Sequence, residues 1–397
     1  MQASGRPLGR RLTPIDGRLR ILLASPAYWP AHAFGGPVVV ARELTGRLVE
    51  WGHHVDVLTT TLVDVAGRPS RRTRVAKVDG ATVTYLATPL RYRWMGFTPT
   101  LPAALVRVGR PDVAHVMGFR DPVTTGAAAW CRARRIPYVF EPVGMFRPRL
   151  RKVALKRAFD ATVARGVAGG AALVVVSSER ELDDVVAGGV TPDRVRLRGN
   201  AFPSPPPPTG ADPLAGIVPA GAPVILYVGR IAAEKGIEHL LEALRRLPEA
   251  HLVVAGPDDR HGTMRVVDAA LVDPATHGRV HVLPPTPGPP YELYRRADVF
   301  VLASGGENFG LVAAEAASVG TPVVVSDRTG VAASFESGEA LVVPYGADAT
   351  VTAVERVLRE PGLRERLAEG ALRAAARTTW DAVTEQQLAI YRESIGG

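Results

Sequence analysis

Short runs of consecutive apolar residues, mostly β-branched, recur along the chain at 20–25, 55–60, 82–87, 113–117, 138–143 and 173–178. A second series follows at 224–229, 252–256, 280–283, 299–303, 323–326 and 340–343. Helical patterns stand between several of them, as with Val40, Leu44 and Leu48 on one face. A half-exposed strand alternates apolar with polar, so unbroken apolar runs separated by helices predict parallel strands buried on both faces. Between the two series lies 202–223, with Pro203, Pro205, Pro206, Pro207, Pro208, Pro213, Pro219 and Pro223. Neither a helix interior nor a central strand tolerates that density. The pattern therefore predicts an α/β fold in two doubly wound domains, 19–200 and 224–379, joined by a proline-rich linker at 201–223 and followed by a helix at 380–397. Such sheets bind ligands at the carboxyl ends of their strands, so the two should face across a cleft. Residues 1–18 have no periodicity and read as a disordered basic tail.

Charge divides the chain. Residues 1–200 hold 31 Lys and Arg against 15 Asp and Glu, whereas the remainder holds 17 against 24. The basic part suits an anionic membrane surface, an acidic substrate or nucleic acid, but the acidic part argues against wrapping nucleic acid. Its densest cluster, Arg147, Arg149, Arg151, Lys152, Lys156 and Arg157 with Leu150, Val153 and Ala154 between, reads either as a solvated charged face or as a basic interfacial helix. The longest apolar stretch, near 168–176, is well short of the roughly 20 residues that span a bilayer. With no leader-like apolar core at the start, the expected location is cytoplasmic, with peripheral contact at the inner face of the membrane. The single cysteine, Cys131, reads as packing.

The most specific chemistry lies at Ser304-Gly305-Gly306-Glu307-Asn308-Phe309-Gly310-Leu311, after an apolar run and before a helix stopped by Gly320-Thr321-Pro322. Glu315 projects from an apolar stripe of that helix and requires a hydrogen-bonding partner. Glu307 stands eight positions earlier, and the free amides of Asn308 to Leu311 suit an anion. Gly229-Arg230, with Lys235 at the start of the next helix, supplies two cations suited to a diphosphate. Gly35-Gly36 precedes the first helix, where glycine lets backbone approach a ligand. No Asp-x-Asp pair occurs, and His53-His54 would point to opposite faces of a strand, so no metal site is expected.

Together, Gly35-Gly36, Gly229-Arg230 with Lys235, Glu307-Asn308-Phe309-Gly310-Leu311 with Glu315, and Gly320-Thr321-Pro322 resemble the retaining nucleotide-sugar glycosyltransferases of the GT-B fold, glycosyltransferase family 4. The resemblance covers about residues 20–395. It implies two Rossmann-like domains, with Glu315 on the ribose, Glu307 at the donor sugar, the Asn308–Leu311 amides on sugar and phosphate, and Arg230 and Lys235 on the diphosphate. It places Gly35 and Gly36 near phosphate and acceptor, Asn200 at the entry to the hinge, and the helix around Trp380 to Tyr391 across to the first domain. The implied reaction moves a sugar from a nucleoside diphosphate sugar, UDP-sugar by default, to an acceptor hydroxyl in polysaccharide, glycolipid or glycoside synthesis; the basic first half points to an anionic or lipid-linked acceptor, and no cofactor or metal is expected. The sequence departs from the family on the acceptor side: His115 is kept, but Met117 and Val143 stand where relatives carry histidine. Glu141, at the end of its strand, is then either the carboxylate that orients an acceptor hydroxyl, with a pKa raised by burial, or a structural acid paired with a nearby arginine such as Arg147. A nucleotide-sugar epimerase on the same fold and a non-catalytic nucleic-acid binder are the alternatives, though no nucleic-acid reader motif is present.

Overall fold

The computed structural model describes all residues except 1–16, 65, 66, 93, 147–164, 259–261, 287 and 397. Most of the predicted tail and the whole basic cluster at 147–157 lie outside the described residues.

In the first domain the strands are β1 (Arg20–Ala24), β2 (His54–Thr60), β3 (Arg74–Val78), β4 (Ala81–Leu86), β5 (Leu90–Tyr92), β6 (Met95–Phe97), β7 (Val113–Met117), β8 (Tyr138–Glu141), β9 (Leu173–Val176) and β10 (Val195–Leu197). They form one sheet in the order β10-β9-β8-β7-β1-β2-β4-β3, with β5 and β6 paired apart as a short ribbon. The sheet is parallel except for its edge, where β3 runs antiparallel to β4. Apolar patterning does not reveal β3, because only Ala76 and Val78 pack on the core while Arg74, Val75 and Lys77 are exposed. The second domain has β11 (Val224–Val228), β12 (His251–Ala255), β13 (Val280–Leu283), β14 (Val299–Leu302), β15 (Val323–Ser326) and β16 (Leu341–Val343), in the parallel order β13-β12-β11-β14-β15-β16. Both folds are doubly wound, and the core strands β7, β8, β9, β12, β14 and β15 are buried at every position.

Strand order reverses between β7 and β1 in the first sheet and between β11 and β14 in the second. A doubly wound sheet opens its ligand crevice at such a point, beyond the carboxyl ends of the two strands. The loops that leave β1, β11 and β14 are those that carry Gly35-Gly36, Gly229 to Lys235, and Ser304 to Gly310.

The proline-rich stretch lies on the second domain. Phe202, Leu214 and Val218 are buried in that domain's core, and the Phe202 amide donates to Thr378 O at 2.9 Å. The helix Trp380–Gly396 packs against the first domain, with Trp380, Val383, Leu388, Ile390 and Tyr391 in the core that also holds β1, β2 and β7 residues.

Candidate active site

Two loops of the second domain build one wall. Gly236 caps the helix Ile237–Arg246 in a left-handed conformation at φ 68°, and a Cβ there would sit 2.1 Å from Ala303 O. Only glycine fits, and the close approach locks the loop after β11 against the loop after β14. The Gly305 amide and Ser304 Oγ both donate to Glu234 O, at 2.8 and 3.0 Å. Lys235 Nζ then pairs with Glu307 Oε2, with only 13% and 24% of the two side chains exposed. Arg230 is more open, at 55%, with Glu234 Oε1 at 3.4 Å.

From Gly310, at φ 103°, the chain enters the helix Leu311–Ser318, whose first amides have no carbonyl partner within the helix. Phe309 anchors this start by burying its ring in the second core. Opposite, Gly35 caps the helix Gly36–Glu50 at φ 75°. A Cβ on Gly36 would lie 2.9 Å from Leu311 Cδ1, so the first residues of the two helices meet, one from each domain. A Cβ on Gly310 would lie 3.4 Å from Cγ of Glu307, the partner of Lys235, so two positive helix ends brought together near Lys235, with Arg230 on the same loop as that lysine, make a region of the cleft suited to a multiply charged anion.

Glu315, on the second turn of its helix, is 8% exposed. Tyr294 Oη donates to Glu315 Oε2 at 2.8 Å, providing the partner the apolar stripe requires. Burial pushes the Glu315 carboxyl up to about 7, the Tyr294 hydrogen bond offsetting part of the rise. Tyr291 is held above the ordinary phenol value by burial, by Glu315 and by Glu43 of the first domain. Tyr291, Tyr294 and Glu43 carry no signature in sequence that separates them from other surface and core residues.

Contacts across the cleft were also invisible in the sequence. Asn308 Nδ2 donates to Ser177 Oγ at 2.8 Å, and Arg180 Nη1 donates to Arg328 O at 3.0 Å. Ser178 caps the helix Glu179–Ala187, and Glu181 accepts from the amides of Gly144 and Ser177, so Asn308 docks onto a rigid patch.

His115 and Glu141 do not reach this wall. They are 0% and 1% exposed. Glu141 Oε2 lies 3.0 Å from His115 Nε2, and Oε1 accepts from Arg198 at 2.9 Å. Arg198, itself fully buried, also donates to Gln387 Oε1 at 2.7 Å and Asn200 Oδ1 at 3.3 Å, while His115 Nδ1 meets Tyr391 Oη at 2.8 Å. Glu141 is thus paired with an arginine, Arg198, and the raised pKa expected of an acceptor-facing acid is corrected: burial would raise it, but Arg198 and His115 bring it below the ordinary carboxylate value. The acid belongs to a polar knot under the C-terminal helix, and so does His115. Of the histidine pair, His53 Nδ1 accepts from the Leu19 amide and His54 turns to Asp56, so the two diverge. Among the described residues no group of three or more His, Cys, Asp or Glu is placed to hold a metal ion.

Two doubly wound domains whose strand-order reversals open onto one cleft define the GT-B class. The chain belongs within it to the glycosyltransferases of the family 4 type: residues 35–201 match the glycosyl transferase 4-like domain, and residues 216–373 match glycosyl transferases group 1. A D-inositol 3-phosphate glycosyltransferase of Thermomonospora curvata is 41% identical over 187 residues, which is 44% of this chain and 43% of that protein. D-inositol 3-phosphate glycosyltransferase 1 of Catenulispora acidiphila is 29% identical over an alignment of 408 positions, covering 95% of each. Sucrose-phosphate synthase from Thermosynechococcus elongatus shares the fold at a TM-score of 0.74 and 23% identity, covering 94% of this chain and 98% of its own. The catalytic domain of starch synthase IV from Arabidopsis thaliana, bound to ADP and acarbose, does so at 0.75 and 14%, covering 96% and 100%. No described helix is long and apolar enough to cross a membrane.

Proposed function

We propose that this glycosyltransferase moves a sugar from a nucleoside diphosphate sugar, UDP-sugar by default, to a hydroxyl of a polyol or sugar acceptor, with retention at the anomeric carbon and without a metal. The observation that carries the reading is the meeting of Gly36 and Leu311 at two helix starts, with Lys235 tied to them through Glu307. A leaving diphosphate gains charge as the bond breaks, and fixed cations and amide dipoles aimed at it stabilise that charge as a metal otherwise does. Glu315 takes the ribose hydroxyls and Glu307 the sugar. The anomeric carbon loses its bond to the diphosphate oxygen and gains one to the acceptor oxygen on the same face. The acceptor's proton passes to the departing phosphate oxygen, so Glu141, locked in its buried pair, is not needed as a base. An anionic acceptor is supported by the basic first half of the chain and by relatives named for inositol phosphate.

A panel of UDP-, GDP- and ADP-sugars scored by thermal shift tests the donor, since a ligand at 100 times its dissociation constant adds about 2.7 kcal/mol. Anomeric proton coupling in the product then tests retention. A panel without any shift, or a donor epimerised in the absence of acceptor, defeats the reading.

A further inference from the structure

The ribbon formed by β5 and β6 has its polarity reversed. Neighbouring residues on a strand point to opposite faces, and the register Leu90 to Phe97, Arg91 to Gly96 and Tyr92 to Met95 sorts the ribbon into two. One face holds Arg91 and Gly96 and is turned to the protein. A Cβ on Gly96 would touch the side chains of Thr88, Thr60 and Leu62, and Arg91 Nη1 donates to Asp64 O at 3.1 Å. The other face carries Leu90, Tyr92 and Phe97, exposed to 66%, 53% and 53%. Charge inward and large apolar groups outward is the inverse of what a soluble ribbon does.

Its surroundings are cationic. Ser70 O accepts from the Thr88 amide at 2.8 Å and Thr73 Oγ1 lies 3.3 Å from Thr100 Oγ1, which lays the exposed Arg71 and Arg72 alongside the ribbon, with Arg68 just before them. Residues 61–100 contain 7 Lys and Arg against 2 Asp and Glu, and one of those acids, Asp64, accepts from the Gly67 amide. Val63, 51% exposed, extends the apolar surface. A stable protein interface needs on the order of 800 Å² from each partner. Two three-residue strands offer far less, whereas a few apolar side chains within a cationic rim are enough to hold a protein on an anionic bilayer.

We propose that this ribbon is a membrane-docking tip, Leu90, Tyr92 and Phe97 entering the interface of an anionic lipid surface while Arg68, Arg71 and Arg72 meet its headgroups. The ribbon stands beyond the carboxyl ends of β2 and β4, the edge of the sheet that opens on the cleft, so docking brings the cleft mouth to the lipid. The docking does not depend on the proposed reaction.

Flotation of the full chain with vesicles of phosphatidylcholine, alone or mixed with phosphatidylglycerol, tests it without measuring turnover. The wild type should bind the anionic vesicles preferentially at low salt. Tyr92→Ser with Phe97→Ser should lower partition by at least about tenfold, and Arg71→Glu with Arg72→Glu by roughly fivefold for each arginine lost. Unchanged melting temperatures identify both variants as folded, and the charge variant serves if the ribbon variant is not. Equal binding of the wild type to both vesicles, no binding to either, or ribbon variants that float like the wild type overturn the proposal. A wild-type dimer dissociated by the ribbon substitutions, without lipid binding, also overturns it and assigns the surface to a second copy.

Discussion

Lys235 and Glu307, 72 positions apart, form an ion pair where the loops after β11 and β14 meet. The cation proposed for the diphosphate is thus already held by the acid proposed for the sugar. An arriving diphosphate competes with Glu307 for Lys235, so removing the acid's charge has opposite effects on binding and on chemistry. Glu307→Gln should lower turnover while binding free UDP at least as tightly as the wild type, by calorimetry. UDP affinity that falls in step with turnover contradicts this competition.

Lys235→Ala and Arg230→Ala should each lower turnover by roughly 10²–10³, by analogy with removing one donor from an oxyanion site. Turnover of the wild type should persist in EDTA. Loss of activity on chelation, restored by Mg²⁺ or Mn²⁺, removes these residues and the helix starts as sufficient counter-charge.

Glu315 sets stability against binding. Its carboxyl is raised to about 7 in the folded chain from 4.5, so its contribution to stability is fully present below the lower value and is lost as pH rises through the higher. At pH 8 the folded protein holds a buried ionised acid, and Glu315→Gln should raise the melting temperature of the ligand-free protein. Ribose hydroxyls donate best to the ionised form, so wild-type nucleotide affinity should rise from pH 6 to 8. In the Gln variant affinity should be flat with pH and weaker at pH 8 by about 1.5–3 kcal/mol at most. A lowered melting temperature in Glu315→Gln at pH 8 would contradict the burial argument.

Breaking the buried pair of Glu141 and Arg198 should cost about 3–5 kcal/mol of stability, because each leaves a charge uncompensated. The Glu141 pKa is lowered in the fold, so the pair's contribution is present above the unfolded value near 4.5 and is lost as pH falls through the folded one. Glu141→Gln should therefore melt lower at neutral pH and lose less stability than the wild type on acidification, with donor hydrolysis retained. Abolished transfer at unchanged melting temperature would return Glu141 to the chemistry.

The strands were legible because parallel strands buried on both faces write themselves as continuous runs such as Val323, Val324 and Val325. The ribbon was not, since its alternation is inverted and Leu90, Tyr92 and Phe97 read as unremarkable loop residues. The motif around Glu307 and Glu315 was legible from local spacing, but the partners that give those acids their properties, Lys235 and Tyr294, are 72 and 21 positions away. Arg198 shows the same limit: an arginine in a strand-to-hinge segment reads as surface, and only the helix from Trp380, folded back over it, makes it the largest fully buried side chain among the described residues.

The chain passes between domains twice, once near Ala201 and once near Thr379, and the bond from the Phe202 amide to Thr378 O ties these passages side by side. A pair of joined straps resists sliding and shear but bends freely about the line through both. The two passages thus form one doubled strap rather than two separate tethers. The Asn308 to Ser177 and Arg180 to Arg328 contacts join the same two domains at a second place, and strap and contacts together hold Leu311 against Gly36 in one register.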